Sequence, residues 1–177
     1  YCTQCSVGRR TFVNQTDNVT TCIACNVGLY QDTVGNKTCV NCTAGMYQNL
    51  QAKPFCLPCV PGFYQDLKAQ RVCKKCDPGQ YSNDTKFTKC HQCDPGRYSQ
   101  GGQASCFPCI PGEKDKASRE ECNLCPEGYF TDKKERVICT KCLEGSANKG
   151  TGNTGCVHTP PGSFINATNE TKDCTKG

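Results

Sequence analysis

Twenty cysteines in 177 residues are the densest source of chemistry in this chain. Eighteen of them form nine C-x2-C pairs, beginning at Cys2, Cys22, Cys39, Cys56, Cys73, Cys90, Cys106, Cys122 and Cys139. Thiols at this spacing can ligate zinc, cycle between dithiol and disulfide, or staple loops. A redox-active pair needs a strand and helix around it, and nine equivalent copies have no catalytic use. Tetrahedral zinc would group the cysteines in fours around folded segments, although C-x2-C repeated after thirteen residues approaches a zinc-ribbon spacing. Stapling offers two patterns. In the interlocked one, consecutive pairs bond first to third and second to fourth, which strands one of the nine. In the other, the second cysteine of each pair closes a loop to the first cysteine of the next: Cys5 with Cys22, Cys25 with Cys39, Cys42 with Cys56, Cys59 with Cys73, Cys76 with Cys90, Cys93 with Cys106, Cys109 with Cys122, Cys125 with Cys139 and Cys142 with Cys156. This self-closing pattern is the preferred reading, with the interlocked and zinc patterns left open. It leaves Cys2 and Cys174 over, as candidates for bonds to another chain.

No other catalytic grouping stands out. The two histidines, His91 and His158, are far apart in sequence, and no Ser, His and acid grouping or phosphate-binding loop is evident. The expectation is a protein that is not an enzyme and needs no cofactor or metal.

The elements that must position the cysteines repeat with them. After a first interval of twenty, the C-x2-C pairs recur every sixteen or seventeen residues, which marks an internal repeat without linkers. Gly28, Gly45, Gly62, Gly79 and Gly96 each precede a tyrosine by two residues, namely Tyr30, Tyr47, Tyr64, Tyr81 and Tyr98. The glycine predicts a turn with positive φ or a close backbone approach. The aromatic is expected to pack on the staple of the adjacent unit. Stretches such as Gly62-Phe63-Tyr64-Gln65 and Arg71-Val72-Cys73 predict two-stranded ribbons, each marginal in water without its bridge. The predicted fold is small and disulfide-rich: an elongated tandem array of short two-stranded loops, with little helix and no large hydrophobic core. Residues 1–25 form an atypical N-terminal unit, residues 25–142 the tandem repeats of about seventeen residues, and residues 142–177 a divergent Gly-rich unit and a C-terminal unit. Lys114 takes the aromatic position within a charged loop expected to be solvated. Gly145, Gly150, Gly152 and Gly155 predict a flexible point or bend. In the tail Thr159 stands where a cysteine belongs, yet Gly162, Phe164 and Cys174 keep the motif's spacing.

Composition supplies the setting. Structural disulfides in such number persist in oxidising compartments, so the chain is expected outside the cell, secreted or on its surface. Sequons at Asn14, Asn18, Asn36, Asn41, Asn83, Asn166 and Asn169 agree and make N-glycans expected partners. No apolar run is long enough to span a membrane. The formal charge of +5 is small for the length. Pairs such as Arg9-Arg10 and Lys133-Lys134 read as solvated loop residues, with heparin or acidic-glycan binding the sharper alternative. Nucleic acid is not an expected partner.

C-x2-C-x2-G-x-Y with a cysteine nine residues after the tyrosine, as in Cys25 to Cys39 and Cys59 to Cys73, resembles the ephrin-receptor-like cysteine-rich repeat. It is also similar to the first submodule of tumour-necrosis-factor-receptor cysteine-rich domains. The resemblance implies self-closing disulfide loops, end-to-end stacking into a rod, and extracellular roles in receptors, adhesion proteins and protist surface proteins. The functional expectation is an extracellular structural or adhesive protein, a stapled and glycosylated rod. It is expected to assemble head to tail with other copies, Cys174 of one meeting Cys2 of the next. The alternative is the ligand-binding ectodomain of a cell-surface receptor, with other extracellular proteins docking along the rod.

Overall fold

The computed structural model describes residues 4–166 and 171–173. These residues form ten two-stranded sheets and no helix. Nine of the sheets belong to loops closed by disulfides, numbered here as repeats 1 to 9: Cys5–Cys22, Cys25–Cys39, Cys42–Cys56, Cys59–Cys73, Cys76–Cys90, Cys93–Cys106, Cys109–Cys122, Cys125–Cys139 and Cys142–Cys156. In the chain-entropy account, closing a loop of about 15 residues restricts the unfolded chain by ~3 kcal/mol. The tenth sheet, repeat 10, pairs Ser163–Ile165 with Thr171–Asp173. The fold is therefore small and disulfide-rich, and its core is made of the staples: among the described residues, the buried apolar side chains are ten cysteines and Ala147.

The strands are placed differently from the sequence reading. Tyr64 faces Lys74 and Phe63 faces Lys75, so the return strand of repeat 4 begins after Cys73 and not at Arg71. The two residues inside each C-x2-C supply this strand, as at Leu57–Pro58, Phe107–Pro108 and Thr140–Lys141. The extended stretch before the closing cysteine is occupied elsewhere, because its carbonyls accept hydrogen bonds from the preceding repeat. Proline is tolerated in these two-residue strands because every strand here is an edge.

The chain divides into two compact units. Unit 1 comprises Tyr1–Asp77, Tyr81–His91 and Gly102–Ala104, and unit 2 comprises Pro78–Gln80, Gln92–Gly101 and Ser105–Gly177. Repeat 1, in unit 1, has the longest ribbon, with Arg9–Val13 paired to Thr20–Ala24. Its turn satisfies its own backbone: the Asn14 amide donates to Val19 O and the Asn18 amide to Asn14 O, both at 3.0 Å. In unit 2, the charged stretch of repeat 7 is not a loose solvated loop. Glu113–Asp115 pairs with Cys122–Leu124 over three residues, and all three residues of the first strand are half-buried. Backbone pairing does not need the missing aromatic.

Candidate functional site

The joints between repeats carry the recurring chemistry, and four kinds of backbone contact recur in them. The first uses the motif glycine, whose amide donates to the carbonyl of the residue after the aromatic in the next repeat: Gly28 to Gln48 (2.7 Å) and Gly45 to Gln65 (2.7 Å) in unit 1, and Gly79 to Ser99 (2.7 Å) in unit 2. That residue's own amide then donates one repeat further along, as Gln48 does to Gln70 O (3.0 Å) and Ser99 to Arg119 O (3.0 Å). In the third contact, a residue in the return loop donates back to the opening cysteine of the preceding repeat: Ala52 to Cys25 O (2.9 Å), Ala69 to Cys42 O (2.8 Å) and Glu135 to Cys109 O (2.9 Å). The fourth reaches across two repeats. A Cβ built on Gly28 would stand 2.1 Å from Ala69 O, on Gly62 2.3 Å from Gly102 O, and on Gly112 2.3 Å from Gly152 O. Glycine is required there twice over, because its φ is also positive, +86° at Gly62. Within each unit a repeat thus reaches the next and the next but one, as repeat 2 reaches repeat 4 in unit 1 and repeat 7 reaches repeat 9 in unit 2.

The docking residue adopts left-handed backbone even where it is not glycine: Ala52 (φ 56°), Ala69 (57°), Lys86 (62°) and Glu135 (62°). Such a conformation costs an L-residue roughly 1–2 kcal/mol. The ladder of hydrogen bonds holds it in place. In repeat 7 a side chain stands in for the amide, since the Arg119 guanidinium donates to Cys93 O. In repeat 9, one of the glycines expected to make a flexible point is bonded into the ladder: the Gly152 amide donates to Cys125 O at 2.8 Å.

The side chain following the aromatic is a feature that sequence reasoning missed. Gln31, Gln48, Gln65, Ser82, Ser99, Thr131 and Asn148 are all buried. The glutamines clamp their own loops: Gln65 Nε2 donates to Val72 O (2.6 Å) while its Oε1 accepts from the Leu67 amide (3.1 Å). Ser82 and Thr131 turn instead to the preceding repeat, while Ser99 Oγ accepts from the Gly101 amide of its own loop. Ser82 Oγ accepts from the Gly62 amide (2.8 Å) and donates to Phe63 O (3.2 Å), and Thr131 Oγ1 treats Gly112 and Glu113 in the same way. A signal was legible, because the residue three after the motif glycine is polar in repeats 1 to 9, while apolar patterning directed attention to the aromatic before it. The aromatics themselves are half-buried and pair across their own ribbons. Tyr98 meets Phe107 at 6.0 Å between ring centroids, and the Lys74 ammonium lies 5.8 Å from the Tyr64 ring. Tyr47 also lines an open groove of about 300 Å³ with Val60, Phe63, Val72 and Cys73 of the next repeat.

Thr159 occupies a cysteine's place in the backbone. Its amide donates to Gly145 O at 2.9 Å, as the Cys59 amide does to Gly45 O, and its hydroxyl donates to the same carbonyl at 3.0 Å. Cys2, Cys174 and Asn169 lie outside the described residues. Of the other sequon asparagines, Asn18, Asn36, Asn41 and Asn83 are exposed, and Asn14 and Asn166 half-buried. Asn14 Oδ1 accepts from the Thr16 amide at 3.1 Å. His91, in unit 1, stacks edge-on against Phe87 at 5.2 Å, and His158, in unit 2, is exposed. Titration is shifted at two exposed ion pairs. The hydrogen bond from Lys74 lowers the Asp66 carboxyl and raises Lys74 in return, and Lys116 and Glu121 do the same to each other. Among the described residues, no group of three His, Cys, Asp or Glu side chains is placed to hold a metal, and no helix is long and apolar enough to cross a membrane.

This architecture has a counterpart among known families. Residues 11–53 match the tyrosine-protein kinase ephrin type A/B receptor-like family. The ephrin-receptor-like segment runs from the first ribbon to the docking loop of repeat 3, and the same ladder continues beyond it. No curated protein matches the chain. Nine disulfides together with an ephrin-receptor-like segment point to an extracellular or cell-surface location.

Proposed function

We propose that this chain is an extracellular structural or adhesive protein, a stapled and glycosylated scaffold without catalytic activity that assembles head to tail into a filament or surface coat. The observation that carries the reading is the ladder: within both units backbone hydrogen bonds and glycine docking join successive repeats, so the repeats resist deformation without enclosing a deep pocket. Cys2 and Cys174 are the groups proposed to link one copy to the next, and the exposed sequons Asn18, Asn36, Asn41 and Asn83 the first places for glycan. Electrophoresis of the natural material tests the assembly. Bands at one-chain steps under non-reducing conditions, collapsing to a single band on reduction, are expected, whereas one band under both conditions removes the covalent filament.

The family match favours a second reading, a ligand-binding segment of a cell-surface receptor. One saturable protein ligand, bound by a chain that forms no ladder of bands, would decide for it.

A further inference from the structure

The formal charge is divided unequally between the two units. Unit 1 contains ten lysines and arginines against five aspartates and no glutamate, so it carries the whole net charge of +5, while unit 2 holds eleven basic and eleven acidic residues. Pairing widens the contrast. Among the described residues, unit 1 has one ion pair, Lys74 with Asp66 at 2.7 Å, which leaves nine of its cations without a carboxylate partner. Three ion pairs lie within unit 2, joining Arg97 with Glu135, Lys116 with Glu121 and Arg136 with Asp132.

The unpaired cations recur with the repeat. Lys37, Lys53, Arg71 and Lys89 stand one to three residues ahead of the closing cysteine in repeats 2, 3, 4 and 5. Lys37, Arg71 and Lys89 are exposed, and Lys53 is half-exposed. At the same place, repeats 6 and 9 have no charge, repeat 7 has Arg119, engaged with Cys93 O, beside Glu120 and Glu121, and repeat 8 has Arg136 tied to Asp132. The loops that carry the cations are fixed by the ladder: Lys53 O accepts from the Gln31 amide, and Phe87 O, two residues before Lys89, from the Gln65 amide at 2.9 Å. In addition, Arg10 and Lys37 line one open groove of about 340 Å³ with Ile23 and Leu29.

We infer that unit 1 binds a linear sulfated polysaccharide. A single anion would need one convergent pocket, whereas cations placed once per repeat on fixed loops match a polymer that carries sulfates periodically along its length. Pre-ordering of the loops reduces what binding must organise, and long unpaired side chains need break no ion pairs to engage it. The inference rests on the extracellular setting proposed above. It does not depend on filament formation, since a missing ladder of bands with heparin binding intact would remove only the assembly.

The test uses the full chain secreted with its glycans, and heparin as probe. Lys37→Gln, Lys53→Gln, Arg71→Gln and Lys89→Gln are combined in one variant. Lys133→Gln, Lys134→Gln, Lys141→Gln and Lys149→Gln, all exposed residues of unit 2 that remove the same charge, form the other. Mass spectrometry without reduction checks that both keep their disulfides. At physiological salt the first variant is expected to bind heparin about tenfold or more weakly, with a shallower dependence on salt, and the second within about twofold of the parent. Equal weakening of both would reduce the effect to net charge and overturn the inference. So would absence of heparin binding by the parent, or equally tight binding to double-stranded DNA or phosphatidylserine vesicles.

Discussion

Gly62→Ala puts a methyl group where the fold has placed a carbonyl two repeats on. The added Cβ would stand 2.3 Å from Gly102 O and 2.6 Å from the carbonyl carbon, and both are backbone atoms that cannot rotate away. Relief requires the docking loop to withdraw by about 1 Å, if ordinary contact begins near ~3.3 Å. That movement strains two hydrogen bonds, from the Gly102 amide to Cys76 O and from the Gly62 amide to Ser82 O, both 2.9 Å. Each contributes a net ~1 kcal/mol. The positive φ adds ~1–2 kcal/mol for any L-residue, so the whole cost is about 3–4 kcal/mol. Gly145→Ala is the control, with φ +77° but nothing within 4 Å of its Cβ position, and it should lose only the ~1–2 kcal/mol of the backbone term. A long repeat array need not unfold in one step. The measurement is therefore local: hydrogen exchange by mass spectrometry under non-reducing conditions, followed at peptides containing Gly102 and Ser82. Gly62→Ala should speed exchange there by about thirtyfold, corresponding to the ~2 kcal/mol beyond the control. Equal acceleration around the mutated site in both variants, with Gly102 unaffected, would refute the docking argument and leave glycine needed for its φ alone.

Gln65→Leu keeps the bulk of the side chain but orphans Val72 O and the Leu67 amide, at ~1–3 kcal/mol for each group left without a partner. Faster exchange at Leu67 would register it, and an unchanged rate would mean that the clamp is dispensable. Arg119→Ala removes the donor to Cys93 O and should loosen repeats 6 and 7 while repeat 9 stays protected. Thr159→Cys restores the cysteine position of repeat 10, and Cys174, fifteen residues on, should be captured there as an intramolecular bridge. Non-reducing electrophoresis should then lose any multi-chain ladder, and an unchanged ladder would show that Cys174 is not the linking thiol. Stability should be nearly flat from about pH 5 to about pH 9. Asp66 and Glu121 have lowered folded pKa values, so their small contributions are present above the unfolded values and vanish as pH falls through the folded ones. Lys74 and Lys116, with raised values, contribute below their unfolded values and lose that contribution as pH rises through the folded ones. Both pairs are solvent-exposed, so thermal scans at several pH values should show only small changes at either extreme.

The sequence by itself determined the repeat and its material. Nine C-x2-C pairs at near-constant spacing, with a glycine and usually an aromatic at fixed offsets, imply short stapled ribbons, because no other source of core is present. It also revealed the register of the tail, where Thr159 keeps the backbone bond of the cysteine it replaces. Tertiary structure decided where the ribbon's second strand lies and how the ribbons join. Arg71 and Val72 look like strand residues, but the stretch before the closing cysteine answers to a neighbouring repeat, and the strand moves into the C-x2-C itself. Nothing local in Ala69 foretells left-handed backbone, since that conformation is held only by Cys42 O one repeat back and by the space above Gly28 two repeats back. Charge followed the same division: the sequence gives a sum of +5, and only the partition into units, with the ion pairs inside each, locates that sum in the first. Spacing along the chain sets which residues recur, whereas contacts between repeats depend on how each ribbon turns relative to the next, which is settled by packing and has no linear signature.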